Sequence, residues 1–416
     1  MENRVVITGL GILSCIGNDV ETFWSNLKAG VCGIETIPEF EKLSVHISGK
    51  VKDFNPLDYG MDKAAIRKMD GFSVYGMAAA HQAMTDSGLI AEGEGQNIDP
   101  FRLGCYVSSG CGGFDTVIRE VGHMLEDRSG QWVSPLFVPM MIPNMVAGNI
   151  AIKYHAQGPC IDITTACATS THSIGEAYRA IKHGYADAII TGGSEKSCTD
   201  LGVAGFANAR ALTRCDDPKH ACKPFDAERG GFVMSEGAAV VILEEYEHAK
   251  ARGAKIYGEI VGYGSTCDAY HATAPRLDGT TQAECIKIAL KEAGFDETKD
   301  SVYINAHGTG TKYNDSTETK AYKLAFGDFA YKCHISSTKS EHGHMFGATG
   351  GAEVIAAVYA LNSGVIPPTI NLDTPDPECD LDYTPNKAAE AELTLALSDS
   401  FGFGGHNACV AIRKID

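Results

Sequence analysis

Short apolar runs alternate with amphipathic segments along the whole chain. RVVITGLGILS from Arg4, RLGCYVSSGCGG from Arg102 and SVYINAHGTGT from Ser301 each have the composition of a buried strand that ends in a glycine-rich turn. GGAEVIAAVYALNSG from Gly350 has the apolar spacing of a helix and ends in glycine. Buried strands that alternate with helices predict an α/β fold with layered sheets.

The same order of elements begins again after about residue 250. YGEIVGYGSTCD has the pattern of a strand, and TQAECIKIALKEAG has that of a helix. Each part opens with a strand and a glycine-rich turn, and each has a later strand that ends in glycine with serine or threonine. The pattern therefore predicts two similar halves, residues 1–250 and 251–416.

Composition narrows the classes of function. The 416 residues carry a formal net charge of −18, which argues against nucleic-acid binding and against a basic membrane-docking surface. The N-terminal MENRVVITGLG lacks the features of a secretory signal. The most apolar stretch, residues 136–152, contains two prolines and two asparagines, so we expect a buried or interface segment and no membrane insertion.

Cysteine and glycine spacing exclude two further kinds of site. The 14 cysteines never form a C-x-x-C pair, which argues against a zinc knuckle, and we expect reduced thiols in the cytoplasm. GLGILSCIG resembles a dinucleotide fingerprint, but Ser14 stands where the third glycine belongs, and no P-loop motif occurs. We therefore expect no nucleotide cofactor.

One cysteine lies where a short apolar run changes to a helical pattern. In DITTACATSTHSIGEAYRAIKHG, Cys167 falls at or near the first helical position, where free backbone N–H groups and the helix dipole favour a thiolate. Its small neighbours Ala166, Ala168 and Ser170 leave room for a substrate. On these residues alone, a nucleophile and a buried structural cysteine both fit the position.

Glycine-rich turns also carry histidines. His307 follows a predicted strand, and STKSEHGHMFGATGG places His342 and His344 in a loop before a helix. Because His342 and His344 alternate, an extended loop would point only one of them at a shared site. A metal site is the alternative for these histidines, but the loop has no carboxylate at ligand spacing. A further run, SFGFGGHNA, can aim backbone N–H groups at an oxygen atom.

Together these motifs resemble the β-ketoacyl-[acyl carrier protein] synthases, the condensing enzymes of type II fatty acid synthesis. The resemblance covers nearly the whole chain and includes, in order, TACATSTHSIGEA, PFDAERGGFVMSEGA, DAYHATAP, NAHGTGTKYND, STKSEHGHMFGATG, GVIPPTINL and SFGFGGHNA. It implies a thiolase-like α/β fold in which two pseudo-symmetric halves form α-β-α-β-α layers, and it implies a homodimer.

The resemblance implies a decarboxylative Claisen condensation. An acyl group held on Cys167 would react with malonyl-[acyl carrier protein] and give 3-oxoacyl-[acyl carrier protein] and CO2 in fatty acid elongation. Both the acyl- and the malonyl-loaded acyl carrier protein would therefore be partners. The reaction as implied requires no cofactor.

The resemblance also assigns roles to individual residues. Cys167 matches the nucleophile and His307 and His344 the catalytic pair, which leaves His342 as a bystander. Lys339 matches a supporting lysine, with Glu318 as its usual partner. The other matches are Cys111, Phe206 and Phe403 in the acyl pocket, Phe403 also as an oxyanion donor beside the Cys167 N–H, Thr273 and Thr311 at pantetheine, and Lys63, Arg67, Lys68 and Arg210 at the acidic carrier.

Three positions depart from the family pattern. Glycine is usual at Ser170, a bulky aliphatic residue at Cys111 and asparagine at Asp399. We expect a small local change at Ser170 and room for longer acyl chains beside the smaller Cys111. In relatives a structural Na⁺ or K⁺ can be enclosed by residues that match Asn305, Glu318, Glu353, Ser398 and Asp399, and an aspartate would strengthen that site.

Related proteins supply the alternatives. A ketosynthase of a type II polyketide or polyene pathway shares the active-site motifs and stays open. A chain-length-factor-like subunit would be a binding protein without the nucleophile, so the retained Cys167 argues against it. Thiolases usually carry a second reactive cysteine in place of one histidine, so His344 argues against a thiolase.

Overall fold

The computed structural model describes residues 2–415, whose thirteen strands form one mixed sheet of nine strands and two separate sheets of two strands each. The strands are β1 (Val5–Leu13), β2 (Glu35–Thr36), β3 (Ile47–Ser48), β4 (Leu103–Ser108), β5 (Ala188–Glu195), β6 (Gly237–Glu245), β7 (Gly258–Cys267), β8 (Val302–Asn305), β9 (His334–Ser336), β10 (Val365–Ile366), β11 (Ala389–Glu390), β12 (Leu395–Gly402) and β13 (His406–Arg413). The helices are α1 (Val20–Lys28), α2 (Lys63–Ile66), α3 (Gly71–Ser87), α4 (Phe114–Glu126), α5 (Phe137–Met141), α6 (Met145–Tyr154), α7 (Thr169–Lys182), α8 (Asp200–Asn208), α9 (Tyr246–Ala251), α10 (Thr280–Glu292), α11 (Lys312–Phe326), α12 (Lys339–His342) and α13 (Thr349–Ser363).

The strand order repeats one arrangement twice. The order across the sheet is β4-β5-β6-β1-β7-β13-β12-β8-β9. From the centre outwards, β1 pairs antiparallel with β6, β6 antiparallel with β5, and β5 parallel with β4. On the other side, β7 pairs antiparallel with β13, β13 antiparallel with β12, and β12 parallel with β8. The predicted pair of similar halves is confirmed, whereas the boundary between residues 250 and 251 stays a prediction.

The helices form three layers around the two halves of the large sheet, which are β4-β5-β6-β1 and β7-β13-β12-β8-β9. α7 and α13 pack against each other and against strands of both halves, while α3 and α6 cover the first half and α10 and α11 the second. On β6, Val241 packs in the cluster of α7 and α13, whereas its neighbour Ile242 packs in the cluster of α3. This alternation follows the two-residue period of a strand and gives the predicted α-β-α-β-α layers.

Glycines let a helix approach the first strand closely. The predicted turn at GLGILS does not exist, because Gly9 and Gly11 lie within β1. A Cβ on Gly9 would lie 2.2 Å from the Ala83 carbonyl oxygen of α3, and one on Gly11 would lie 2.0 Å from that of Ala79. The glycines therefore serve helix–strand packing.

The apolar stretch of residues 136–152 forms α5 and most of α6. Val146 and Ile150 are buried, but Val138 and Ile152 expose 54% and 74% of their surface. The stretch therefore contributes both to the core and to an open apolar surface. None of the helices in residues 2–415 is both long and apolar enough to cross a membrane.

The unusual Ser170 joins the two central helices. The residue before α13 is Ala348, which has no side chain able to cap the free N–H groups of the first turn. Ser170 of α7 supplies the missing acceptor, because the Gly351 N–H donates to its Oγ at 2.9 Å. Ser170 thus caps a helix that begins 179 residues further along the chain. A glycine at this position could not do so.

Substitution of Ser170 by alanine should lower the free energy of unfolding. The buried Gly351 N–H would lose its only side-chain acceptor, at a cost of about 1 to 3 kcal/mol. Urea denaturation measures the change. As the matched control, Ser25→Ala at an exposed position of α1 should stay within about 0.5 kcal/mol of the unchanged chain. Equal midpoints for the two variants would contradict the capping role.

Candidate active site

Cys167 lies in a short turn at the start of a central helix. The turn, Ala166–Ala168, is a single 3-10 turn, and α7 begins at Thr169. Ala166 has a φ of +52°, and the Thr165 N–H donates to Thr169 Oγ1 at 2.9 Å. The short apolar run before Cys167 does not form a strand, because it is extended but joins the sheet only by a bridge between Cys160 and Cys105.

The expectation of a resting thiolate at Cys167 is also wrong. The side chain is buried, and burial raises the pKa of the thiol to about 11. The Phe403 backbone N–H and the charge of Lys339 act in the opposite direction but do not overcome burial. The free thiol is therefore protonated at neutral pH.

His307 follows the end of β8 and is fixed through its backbone. Its N–H donates to Glu318 Oε1 at 2.6 Å, and the Gly308 N–H donates to Glu318 Oε2 at 2.8 Å. The His307 ring stands 5.6 Å from the His344 ring, at an interplanar angle of 85°. Its buried Nδ1 makes no hydrogen bond within residues 2–415.

His344 is held by the turn that precedes α13. The Phe346 N–H donates to His344 Nδ1 at 3.2 Å, and Thr349 Oγ1 lies 2.9 Å from the same atom. Nδ1 therefore accepts hydrogen bonds, and the proton of the neutral ring is on Nε2. Nε2 is buried without a partner in the described residues, so its N–H is available to a substrate oxygen.

Lys339 lies behind the two histidines and is fully buried. Burial lowers the pKa of His307 and of His344 well below the usual value, and the positive charge of Lys339 lowers both further. The predicted partner of Lys339 is wrong, because its ion pair is with Glu353. Glu318 instead accepts hydrogen bonds from the His307 turn, Asn314 and Tyr322.

Cys167, His307 and His344 line one cavity of about 310 Å³. Cys167, His307 and His344 each place one sulfur or nitrogen atom there, within 4.8 Å of the others. The predicted carrier- and pantetheine-binding residues on the cavity wall are Thr273, Thr311 and Arg210. His342 does not reach the cavity, because its ring nitrogens face the Gly343 carbonyl and Thr338 Oγ1.

Gly402 and Phe403 complete the wall beside the nucleophile. Both line the cavity, and a Cβ on Gly402 would lie 3.2 Å from the Cys167 nitrogen. The Phe403 N–H acts directly on the Cys167 sulfur. The N–H groups of Cys167 and Phe403 both lower the pKa of the thiol, so both act on the Cys167 sulfur, and their role as oxyanion donors stays a prediction.

The predicted acyl pocket is only partly present. Phe403 lines the cavity, but Cys111 and Phe206 do not. The Phe346 ring stacks on His344 at 4.9 Å and on Phe206 at 4.8 Å, and it fills the space on that side. Cys111 lies beside Ser197, and its effect on acyl chain length stays a prediction.

The residues predicted to enclose a cation form a buried cluster. Asn305 and Ser398 are paired in the register of β8 and β12, and Glu353 and Asp399 lie close enough for their charges to interact. Three buried oxygens have no hydrogen-bond partner in the described residues: Glu353 Oε2, Ser398 Oγ and Asp399 Oδ1. Burial and the nearby Asp399 carboxylate raise the pKa of Glu353 to about 7.

A metal ion on the cysteine and the two histidines is disfavoured. Cysteine and histidine are zinc ligands, and their spacing would allow one. However, the positive charge of Lys339 lowers the pKa of all three groups and would equally repel a bound cation. The arrangement instead suits a neutral thiol and two neutral imidazoles that face an uncharged or anionic substrate.

Lys63, Arg67 and Lys68 lie outside the cavity. Lys63 opens the short helix α2, the other two follow it, and all three are exposed.

Sequence reasoning missed the contacts of Thr349 and Phe346 with His344 and the ion pair between Glu353 and Lys339. Phe346 and Thr349 are neighbours of His344 in the sequence, but the conformation of the turn decides that they contact its ring.

The sequence and the fold both have known relatives. The family descriptions Beta-ketoacyl synthase, N-terminal domain, and Beta-ketoacyl synthase, C-terminal domain, match residues 2–249 and 257–373. The chain is 48% identical to 3-oxoacyl-[acyl-carrier-protein] synthase 2 of Staphylococcus aureus (strain COL), over 99% of both chains. It is 46% identical to a protein of the same name from Synechocystis sp., over 99% of this chain and 98% of the other. A solved type II polyketide synthase ketosynthase, in complex with its acyl-carrier protein and bound to the hexaketide, is 32% identical over 100% of both chains, with a TM-score of 0.90.

Replacement of Lys339 by methionine should destabilise the chain and slow the reaction of Cys167. Glu353 would stay buried without its ion-pair partner, which costs about 3 to 5 kcal/mol of unfolding free energy. The double variant Lys339→Met/Glu353→Gln should recover part of that loss. In both variants the pKa of Cys167 rises, so alkylation by iodoacetamide at a fixed pH slows. Unchanged urea midpoints and unchanged alkylation rates would show that the lysine has neither effect.

Proposed function

The chain belongs to the β-ketoacyl synthase family, and we propose that it condenses an acyl group with malonyl-[acyl carrier protein] in fatty acid elongation. The products are 3-oxoacyl-[acyl carrier protein] and CO2. The observation that carries this proposal is the buried cavity in which Cys167, His307 and His344 meet.

The acyl group first moves from the pantetheine thiol of its carrier to Cys167. The Cys167 sulfur attacks the thioester carbonyl, and the bond from that carbon to the pantetheine sulfur breaks. The proton of the Cys167 thiol passes to the departing sulfur. Lys339 and the Phe403 N–H assist this step, because both favour negative charge on the Cys167 sulfur.

Decarboxylation of the malonyl group needs neutral hydrogen-bond donors. Loss of CO2 leaves an electron pair that becomes an enolate, with negative charge on the thioester oxygen. The Nε2–H of His344 can donate to that oxygen, and the His307 ring stands beside it. The lowered pKa of each histidine keeps both rings neutral, so neither protonates the enolate carbon before it reacts.

The enolate carbon then attacks the acyl carbonyl on Cys167. The N–H groups of Cys167 and Phe403 receive the negative oxygen of the tetrahedral intermediate. Collapse of the intermediate breaks the carbon–sulfur bond to Cys167 and releases the longer 3-oxoacyl chain on the carrier. The Cys167 thiolate regains a proton from solvent.

A polyketide ketosynthase is the second candidate function. The solved polyketide ketosynthase shares the whole fold at 32% identity. The relatives named 3-oxoacyl-[acyl-carrier-protein] synthase 2 reach 48%, and this higher identity favours fatty acid elongation. A binding subunit without catalysis is disfavoured, because the nucleophile and both histidines are retained.

The carrier protein should dock beside the cavity mouth. The polyketide ketosynthase relative was solved in complex with its acyl-carrier protein, and this supports a carrier as the partner here. Lys63, Arg67, Lys68 and Arg210 give local positive charge on a chain whose net charge is −18. Thr273 and Thr311 on the cavity wall are suited to hydrogen bonds with pantetheine.

A second copy of the chain is the other proposed partner. The exposed residues Ile118, Val121 and Leu125 lie at helical spacing on α4, and the nearby Trp132 exposes 65% of its surface. The segment around Cys160 borders β4 at the edge of the sheet and can pair with another strand. These features support the homodimer. A sedimentation mass equal to one chain would contradict it.

A structural Na⁺ or K⁺ fits the buried cluster of Asn305, Glu318, Glu353, Ser398 and Asp399. The three oxygens without partners are hard ligands of the kind that such ions bind. Glu318 fits least well, since backbone and side-chain donors already occupy both of its oxygens. The ion would supply positive charge beside these carboxylates.

We place the enzyme in the cytoplasm, where its 14 unpaired cysteines would stay reduced.

Purified protein incubated with acyl carrier and malonyl carrier should form a 3-oxoacyl carrier that is two carbons longer. Mass spectrometry of the intact carrier detects this product. Cys167→Ala should abolish its formation, whereas Cys333→Ala, which removes a buried thiol far from the cavity, should leave the rate unchanged. The absence of the longer product with Cys167 intact would refute the proposal.

The same assay separates the alternatives and tests docking. Chains extended by several units without reduction would indicate the polyketide function. The triple variant Lys63→Glu/Arg67→Glu/Lys68→Glu should raise the KM for the carrier, with Lys28→Glu on α1 as its control.

Melting temperature should depend on the cation present. When KCl or NaCl replaces choline chloride at constant ionic strength, a cation that binds only the folded chain should raise it. Asp399→Asn should weaken this dependence because it removes a charged ligand, whereas Asp328→Asn on the surface should not. The same melting temperature in all three salts would rule out the site.

A further inference from the structure

The proposed mechanism leaves one buried carboxyl beside the nucleophile without a role. Glu195 ends β5 and has no exposure to solvent. Its Oε2 accepts from the Gly110 N–H at 3.0 Å and from the Gly347 N–H at 3.3 Å. Its Oε1 accepts from Ser109 Oγ at 3.2 Å. One carboxyl group thus joins two turns that lie 237 residues apart in the chain.

The two turns are packed without spare room. A Cβ on Gly347 would lie 2.5 Å from the Gly110 nitrogen, and one on Gly193 of β5 would lie 2.0 Å from the Gly347 carbonyl oxygen. A Cβ on Gly110 would lie 2.9 Å from Glu195 Oε2 and 3.3 Å from the Ala166 carbonyl oxygen. Glu195 and the two turns therefore form a tight layer directly behind the turn that carries Cys167.

One of these turns controls His344. Gly347 follows Phe346, which has a φ of +45°, a strained value for a residue with a side chain. The Phe346 N–H donates to His344 Nδ1, and the Phe346 ring stacks on the imidazole. The hydrogen bond from the Gly347 N–H to Glu195 holds the backbone in this conformation from the other side.

We propose that Glu195 is a positioning residue for the condensation, which holds the Phe346–Gly347 turn against the Ser109–Gly110 turn and sets the charge behind Cys167. This inference rests on the proposed function, because it assigns His344 the role of a hydrogen-bond donor to the enolate. It adds a residue that touches neither substrate nor reacting atoms.

The charge of Glu195 acts on the nucleophile. A negative Glu195 raises the pKa of Cys167, against the effect of Lys339. The other titratable groups that face Glu195 are Cys111 and Cys198, and burial raises the pKa of both thiols well above the usual value. Burial raises the pKa of Glu195 to about 8. Of Glu195, Cys111 and Cys198, only Glu195 therefore changes its charge between neutral and mildly alkaline pH.

Two substitutions separate the effect of the length of the Glu195 side chain from the effect of its charge. Glu195→Gln keeps the length of the side chain but removes its charge, while Glu195→Asp keeps the charge but cannot span both turns. The rate of Cys167 alkylation by iodoacetamide, followed from neutral to strongly alkaline pH, reports the formation of the thiolate. In Glu195→Gln the midpoint of this profile should move to lower pH, and in Glu195→Asp it should not.

The effect of Glu195 on the position of the Phe346–Gly347 turn is measured separately. In Glu195→Asp the amides of Phe346 and Gly347 should exchange with solvent faster, and turnover should fall at least tenfold with little change in the KM for malonyl carrier. Glu236→Gln is the matched control, because Glu236 is also buried but is held by Tyr75. It should leave the alkylation profile and the exchange of both amides unchanged.

Several outcomes would overturn the inference. An unchanged alkylation midpoint in Glu195→Gln would remove the effect of charge. Unchanged amide exchange with full turnover in Glu195→Asp would remove the positioning role. Alkylation and exchange need no condensation, so they remain decisive if the proposed activity itself fails.

Discussion

The buried positive charge of Lys339 is the interaction on which the rest of the site depends. Burial lowers the pKa of His307 and His344, and the charge of Lys339 lowers both further, so both rings remain neutral at physiological pH. The same charge favours a negative sulfur at Cys167. A buried ammonium group is costly unless it is paired, and Glu353 provides the partner. The site therefore combines neutral hydrogen-bond donors with a fixed positive charge behind them.

The repeated architecture brings the reacting groups together. Each half has a 3-10 turn that continues as a central helix, at Ala166–Ala168 before α7 and at Phe346–Ala348 before α13. Each turn begins with a non-glycine residue of positive φ, Ala166 or Phe346. Because α7 and α13 pack side by side, Cys167 and His344 face one cavity. Ser170 adds a direct hydrogen bond between these helices.

Burial of carboxyl groups is the main electrostatic cost of this arrangement. Burial raises the pKa of Glu195 and of Glu318 to about 8 and that of Asp399 to about 6. Glu195 and Glu318 are each tied to backbone N–H groups of turns that border the cavity. Both therefore act as fixed acceptors that shape loops, a role that a shorter or apolar side chain could not fill.

The sequence by itself determined the α/β layers, the two halves and the motifs around Cys167, His307 and His344. Apolar periodicity records which face of each strand or helix is buried, and this information is local. Only the tertiary structure decided the properties that depend on distant segments. Cys167 is a thiol because burial outweighs the effect of nearby N–H groups and Lys339, although its position alone favoured a thiolate. The Ser170 acceptor for the Gly351 N–H and the Glu195 carboxyl group that joins Gly110 to Gly347 come from elements far apart in the chain. Lys339 has its partner, Glu353, on the next helix. A pattern of neighbours in sequence carries no record of such contacts, because packing brings these groups together only when the chain folds.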